Sequence, residues 1–312
     1  MPLDYRRNNA PENSISYKCF TKEFKKSKEE LYKDLFDENG LRKDGRAPDD
    51  VRSLCRFLAR VDTVSQAKGS SYVESKNTKV TCSVFEPREI PHQTEFRPLG
   101  QLYVEFKFAP FSCPRKRRPY VPDSEEKALS AAVKKALEPA VCRQAFPNHQ
   151  VDIYIYILEH DGGCLAAAIN AAGLALADAV IPMYDIITAC SVAVINDQLF
   201  LDPSEAEEHL ALRSPLKEGA NHGLVTMSTL CELNQVTDFR QIGSMDVELV
   251  TNIMEILEKE CANLMPIIRK ILVASVVKNI ERKKVWDAEK KQREEVMNAK
   301  LEEWKRLLNS NN

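Results

Sequence analysis

The sequence predicts an α+β fold, and three patterns carry that expectation. Paired strand-like segments lead into a packed helix twice between about residues 40 and 277. Gln101–Phe108 alternates, with Leu102, Val104, Phe106 and Phe108 on one face and Gln101, Tyr103, Glu105 and Lys107 on the other, the period of a half-buried strand. Residues 123–141 keep Leu129, Ala132, Val133, Ala136, Leu137, Ala140 and Val141 at helical spacing. No sequence repeat accompanies the doubled plan, so it is a pseudo-duplication of elements.

From residue 1 to about 40 the chain is a charged arm in which Phe20, Phe24, Leu31 and Leu35 can line a short helix. Gly40, Gly45 and Pro48 mark an extended entry to the core. Residues 71–75 and 78–85 are rich in β-branched and aromatic side chains and form a hairpin in which Asn77 is expected to turn left-handed. Asp123 with Glu126 starts the 123–141 helix as a capping box, and Pro139 kinks or ends it. A strand over 151–158 and a small-residue helix over 163–180 follow. Next come a hairpin of 188–195 with 199–201 about Asn196-Asp197, strands over 224–230 and 234–239, and a long helix over 246–277. The expected organisation is an arm over 1–40, a core domain over 41–277 and a charged helix over 278–312. In that last helix Met297, Leu301, Trp304 and Leu308 recur at i, i+4, i+7 and i+11, which suits a solvated tail and a partner-binding helix equally.

Composition narrows the function. With 44 Lys+Arg against 46 Asp+Glu in 312 residues the net charge is −2, which excludes a globally basic nucleic-acid binder and leaves local clusters. No apolar run reaches the ~18 residues that span a bilayer, and the first nine residues do not read as a secretory signal. The nine cysteines include no CxxC pair, so neither a zinc ribbon nor a disulfide framework is expected, and a reducing compartment is. Cys82 and Cys190 sit among apolar strand neighbours and read as core. The five histidines lack HxxxH or HExxH spacing; His160 is the only one to watch, with a structural role the favoured reading. No metal or cofactor is expected.

Several ordered motifs resemble the RNase PH family: Arg42-Lys43-Asp44-Gly45-Arg46, Gly69-Ser70-Ser71-Tyr72-Val73-Glu74, Thr78 to Cys82 with Glu86-Pro87-Arg88, and Glu159-His160-Asp161-Gly162-Gly163. Pro182-Met183-Tyr184-Asp185, Leu201-Asp202-Pro203, Glu207-Glu208 and Leu233-Asn234-Gln235-Val236 continue the series, so the likeness spans about residues 40 to 275. Within the family the chain is similar to ring subunits of the eukaryotic RNA exosome. The resemblance implies an RNase PH-like core in a hexameric ring. Its implied partners are other ring subunits, cap subunits, single-stranded RNA and an attached nuclease, in nucleus, nucleolus and cytoplasm.

It also implies a chemistry with parts missing. Phosphorolysis of RNA needs phosphate held at a helix N-terminus and clamped by a guanidinium. Active relatives follow the second glycine with Thr or Ser and then Arg, whereas here Cys164 and Leu165 stand there. Carboxylates must hold a metal or protonate the leaving oxygen. Glu208 falls at the first acidic position and Gly223 or Leu224 at the second; alternatively, and as the favoured reading, Glu205, Glu207 and Glu208 are merely acids on a surface turn. The expectation is a non-catalytic ring subunit, and the alternative is a phosphate-dependent 3′→5′ exoribonuclease acting alone or with a partner subunit. Arg115, Lys116, Arg117 and Arg118 with Tyr120 form a Pro-flanked basic loop suited to RNA phosphates and a stacked base, although such runs also occur as solvated loops.

Overall fold

Alanine and leucine dominate Cys164–Asp178, and a helix apolar on every side must lie inside a protein. The computed structural model describes residues 28–36, 42–43, 57–90, 96–113, 117–118, 120–213 and 220–310. In it this helix, α3, lies between two sheets, with every residue from Leu165 to Leu176 buried. Asn170, the one amide in that stretch, donates to the Ala189 carbonyl and accepts its N–H, each at 2.8 Å, so its burial costs no unsatisfied group.

The first sheet contains β1 (Phe57–Val61), β2 (Gly69–Ser75), β3 (Thr78–Val84), β4 (Arg88–Glu89), β5 (Gln101–Phe108) and β6 (His149–Glu159). It runs β1-β2-β3-β6-β4, with β5 parallel to β6 and the other pairs antiparallel. The second sheet contains β7 (Ile187–Ile195), β8 (Gln198–Leu201), β9 (His222–Leu230) and β10 (Gln235–Ser244), antiparallel in the order β10-β9-β7-β8. The mixed architecture and its two sheets are those expected. β1 was not foreseen.

Helix α1 (Lys28–Leu35) is the short helix of the arm; Phe20 and Phe24 lie outside the described residues, as does most of the 40–50 entry. Helix α2 (Ser124–Leu137) has its capping box at Asp123 and Glu126. Glu126 is 2% exposed and also accepts the Phe108 N–H at 3.0 Å, which fixes the start of α2 to the end of β5. The helix stops at Leu137, short of the expected 141: Glu138 still has helical backbone and donates to the Lys134 carbonyl, but Pro139 supplies no N–H to continue the ladder.

Three local differences have physical reasons. In the β2–β3 hairpin Lys76, with φ 56°, takes the left-handed conformation, while the Asn77 amide donates to Asp161 at 2.8 Å. Residues 205–211, read as a turn, form helix α4 (Glu205–Ala211) with its own capping box from Ser204 and Glu207. Helix α5 (Val247–Ser310) runs unbroken past residue 277. Its Ile253, Leu257, Cys261, Leu264 and Ile268 are buried at helical spacing, and from Val276 to Asn298 every residue is exposed.

Candidate functional site

The start of α3 is shaped by two glycines. Gly162 has φ 92° and Gly163 φ 59°, both in the region that favours glycine. A Cβ on Gly162 would stand 2.3 Å from the Pro203 carbonyl oxygen, so glycine lets the Pro203–Glu205 backbone approach the helix head. Thr78 pins the turn, its hydroxyl donating to the Gly162 carbonyl at 2.7 Å and accepting from the Asp161 N–H at 3.0 Å.

That approach brings in α4, whose adjacent acids have separate partners. Glu207 is 3% exposed and accepts from the Arg42 guanidinium at 2.8 and 3.1 Å and from the Ser204 N–H at 2.8 Å. Arg42 also donates to the Leu201 carbonyl at 2.9 Å and lies 5.1 Å from the Phe200 ring centroid. Glu208 turns the other way and accepts the Gly163 N–H at 2.7 Å. The carboxylate thus stands where a helix N-terminus would otherwise offer an N–H to an external anion. The reading of Glu207 and Glu208 as surface acids is therefore corrected: one is a buried ion pair and the other caps the site.

Cys164, Leu165, Glu208 and Leu224 all line one cleft of about 160 Å³ at this helix head, together with His160 and Arg240. Burial pushes the Cys164 thiol well above its ordinary range, so it is not a ready nucleophile. Leu165 is buried in the core that α3 shares with both sheets. Burial pushes Glu208 up to about 7; the Gly163 N–H opposes that shift, and Asp202, Glu205 and Asp161 add to it. Burial lowers His160, whose ring stacks edge-on against Phe108 at 5.5 Å, and its Nδ1 has no hydrogen-bond partner among the described residues. Sequence reasoning missed Arg240, a half-buried cation on β10 opposite Thr226, and also missed α4; the Ser204-x-x-Glu207 capping pattern was the available signal for the helix.

The basic loop divides. Arg115 and Lys116 lie outside the described residues, whereas Arg117 and Tyr120 are exposed. Arg118 turns inward: its guanidinium is 4.1 Å from the Phe108 ring centroid, donates to Glu125 at 2.7 Å and to the Cys113 sulfur at 3.3 Å. Grouping Arg118 with the outward cations is corrected by these contacts. Among the described residues no cluster of His, Cys, Asp or Glu is built to hold a metal, and no helix is long and apolar enough to cross a membrane.

This fold, with a glycine-led helix between two sheets, matches a known family along the sequence. Residues 56–182 match domain 1 of the 3′ exoribonuclease family, RNase PH, and residues 185–214 match its domain 2. The chain belongs to that family. It is 39% identical over 175 residues to exosome complex component Rrp41 of Nitrosopumilus maritimus, covering 56% of this chain and 70% of that protein. Its likeness to the Rrp41 of Cenarchaeum symbiosum is 31% over 227 residues, 72% of this chain and 92% of that one. Among solved structures, rice Rrp46 superposes with a TM-score of 0.62 at 22% identity, covering 74% of this chain and all of that one. An Archaeoglobus fulgidus exosome with RNA bound to the active site gives 0.59 at 20%, over 73% and 92% of the chains.

Proposed function

We propose that this chain is a non-catalytic structural and RNA-channel subunit of an RNA exosome ring, supporting 3′→5′ RNA processing and degradation by a nuclease attached elsewhere. Its neighbours in this reading are other RNase PH-like ring subunits and cap subunits, in nucleus, nucleolus and cytoplasm. In this reading the particular subunit is the mRNA transport regulator 3 homologue, whose start Met1-Pro2, Asp4, Arg6-Arg7 and Pro11-Glu12 resemble. The relatives named as exosome components support the ring.

One observation supports the loss of catalysis. The Gly163 N–H is already donated to Glu208, and the next two residues, Cys164 and Leu165, carry no cation to clamp phosphate. A carboxylate in that position repels a phosphate oxygen as its proton leaves. The test is phosphate-dependent release of nucleoside diphosphates from RNA by the purified chain and by its assembled complex. No release from the isolated chain is expected, and release would overturn the reading.

Arg240 favours a second reading, a phosphate-dependent 3′→5′ exoribonuclease active alone or with a partner subunit, because this cationic residue lines the same cleft. Under that reading Arg240→Ala abolishes nucleoside diphosphate release, whereas under the first there is none to abolish.

A further inference from the structure

The exposed part of α5 is not uniform in charge. Residues 278–293 hold seven cations, Lys278, Arg282, Lys283, Lys284, Lys290, Lys291 and Arg293, against three acids, Glu281, Asp287 and Glu289. An excess of four positive charges in sixteen residues stands out in a chain of net −2. Residues 294–308 return to near balance, with Glu294, Glu295, Glu302 and Glu303 against Lys300, Lys305 and Arg306.

Helical geometry orders the basic stretch. At 3.6 residues per turn Lys278, Arg282, Trp286, Lys290 and Arg293 fall within an arc of about 120° along about 22 Å of helix, and Lys283 lies at its edge. Trp286 is 58% exposed at the middle of this face, and the Lys290 ammonium lies 5.6 Å from its ring centroid. Arg282 reaches Asp62 at 2.6 Å, and Arg293 reaches Glu289 at 3.3 Å. Lys278 and Lys283 have no ion pair among the described residues. Long solvated cations around an exposed indole combine the two elements that hold single strands: charge for the backbone and an aromatic face for an unstacked base.

We infer that residues 278–293 of α5 form a contact surface for single-stranded nucleic acid, with Lys278, Arg282, Lys283, Lys290 and Arg293 on phosphates and Trp286 stacking on a base. Charge complementarity selects a polyanion as occupant of this face: the exposed Val273, Val276, Val277 and Ile280 project from the opposite side of the helix, Val285 lies at the edge of the basic arc, and Met297 and Leu301 come only farther along. The surface is separate from the Arg117 loop and does not require the ring reading.

The experiment uses the full chain and a 30-nucleotide oligouridine labelled with fluorescein, with anisotropy titrations across a series of KCl concentrations. In one variant Lys278, Lys283, Lys290 and Arg293 all become Gln; in another Trp286→Ala is made alone. Circular dichroism checks that both keep the helix content of the parent. Neutralising four phosphate contacts is expected to weaken binding at least tenfold and to flatten the log–log salt slope by about 3, at ~0.7 per contact. Trp286→Ala is expected to weaken binding roughly tenfold with the slope unchanged, since stacking is not a counterion effect. Unchanged affinity and slope in both variants would overturn the inference. So would intact oligouridine binding in variants that no longer co-purify with RNase PH-like subunits, because the face would then be a protein contact. A chain that joins no ring yet loses oligouridine binding in the four-residue variant would sink the ring reading and leave this one standing.

Discussion

The cleft at the head of α3 and the exposed length of α5 use charge in opposite ways. At the cleft Glu208 is held by the Gly163 N–H, and next to it Glu207 is held by Arg42 and Arg118 by Glu125 and the Phe108 ring. On α5 between Val276 and Asn298 no residue is buried, and the cations stand in water on a helix whose fold they do not determine. A group fixed by a buried partner is removed from solution chemistry. A group left in water keeps its field for a polyanion. The two regions should therefore respond differently to the same kind of substitution.

The largest expected effect is beside the cleft, at the buried ion pair of α4. Glu207→Gln leaves Arg42, itself 3% exposed, without its counter-charge beneath the packed Phe36 and Phe200 rings, whose centroids are 4.8 Å apart. Removing one partner of a buried ion pair costs ~3–5 kcal/mol. Urea unfolding followed by far-UV circular dichroism should register that loss; Trp fluorescence would report mainly on α5, which carries both tryptophans. A loss under about 1 kcal/mol, the range of surface pairs, would show that the pair does not fasten α1 and α4 to the second sheet.

Glu208 gives the next effect, and it depends on pH. Its carboxyl is pushed up from an ordinary 4.5 to about 7, chiefly by burial, so the folded state holds the proton more tightly than the unfolded state. The stability it contributes is fully present below about pH 4.5 and is lost as pH rises through 7, amounting to roughly 3 kcal/mol. Glu208→Gln keeps an acceptor for Gly163 and removes the proton. The variant should therefore gain on the parent chain as pH rises from 4.5 to 8. His160, lowered by burial, works in the other direction in both proteins, so the difference between them is the quantity to measure. A difference that stays constant with pH would mean that Glu208 is charged and well solvated throughout.

How much of this was legible in the sequence follows from the range of each signal. The alternation of β5, the capping box of α2 and the Asn196-Asp197 turn, with φ of 50° and 67°, are local and were readable. So were the buried Cys82 and the small-residue run of α3. The role of Glu207 depends on Arg42, 165 residues away, and acids beside a turn give no hint of such a partner. Arg118 looked like its basic neighbours because a charge run does not reveal that one member turns back onto Phe108. Arg240 sits on a strand whose half-exposed residues alternate weakly, so nothing marked it as facing the cleft. The family motifs supplied the positions of Cys164, Leu165, Glu208 and Leu224; only the fold shows that they share one cleft.

The smallest expected effect belongs to α5 and tests the contrast from its quiet side. Arg282 bridges to Asp62 with both side chains well exposed, at 57% and 43%. Long side chains lose rotamer freedom in such a pair and water screens the attraction, so the net worth is ~0–1 kcal/mol. Arg282→Ala should move the urea midpoint by no more than that, and the shift should vanish in 1 M salt, where the screening length falls to ~3 Å. If instead the variant loses several kcal/mol, the ion pair is a strut for β1 and the exposed helix is part of the core. Its cations would then be held for stability, as Arg42 and Arg118 are, and the division between fixed and available charge would fail.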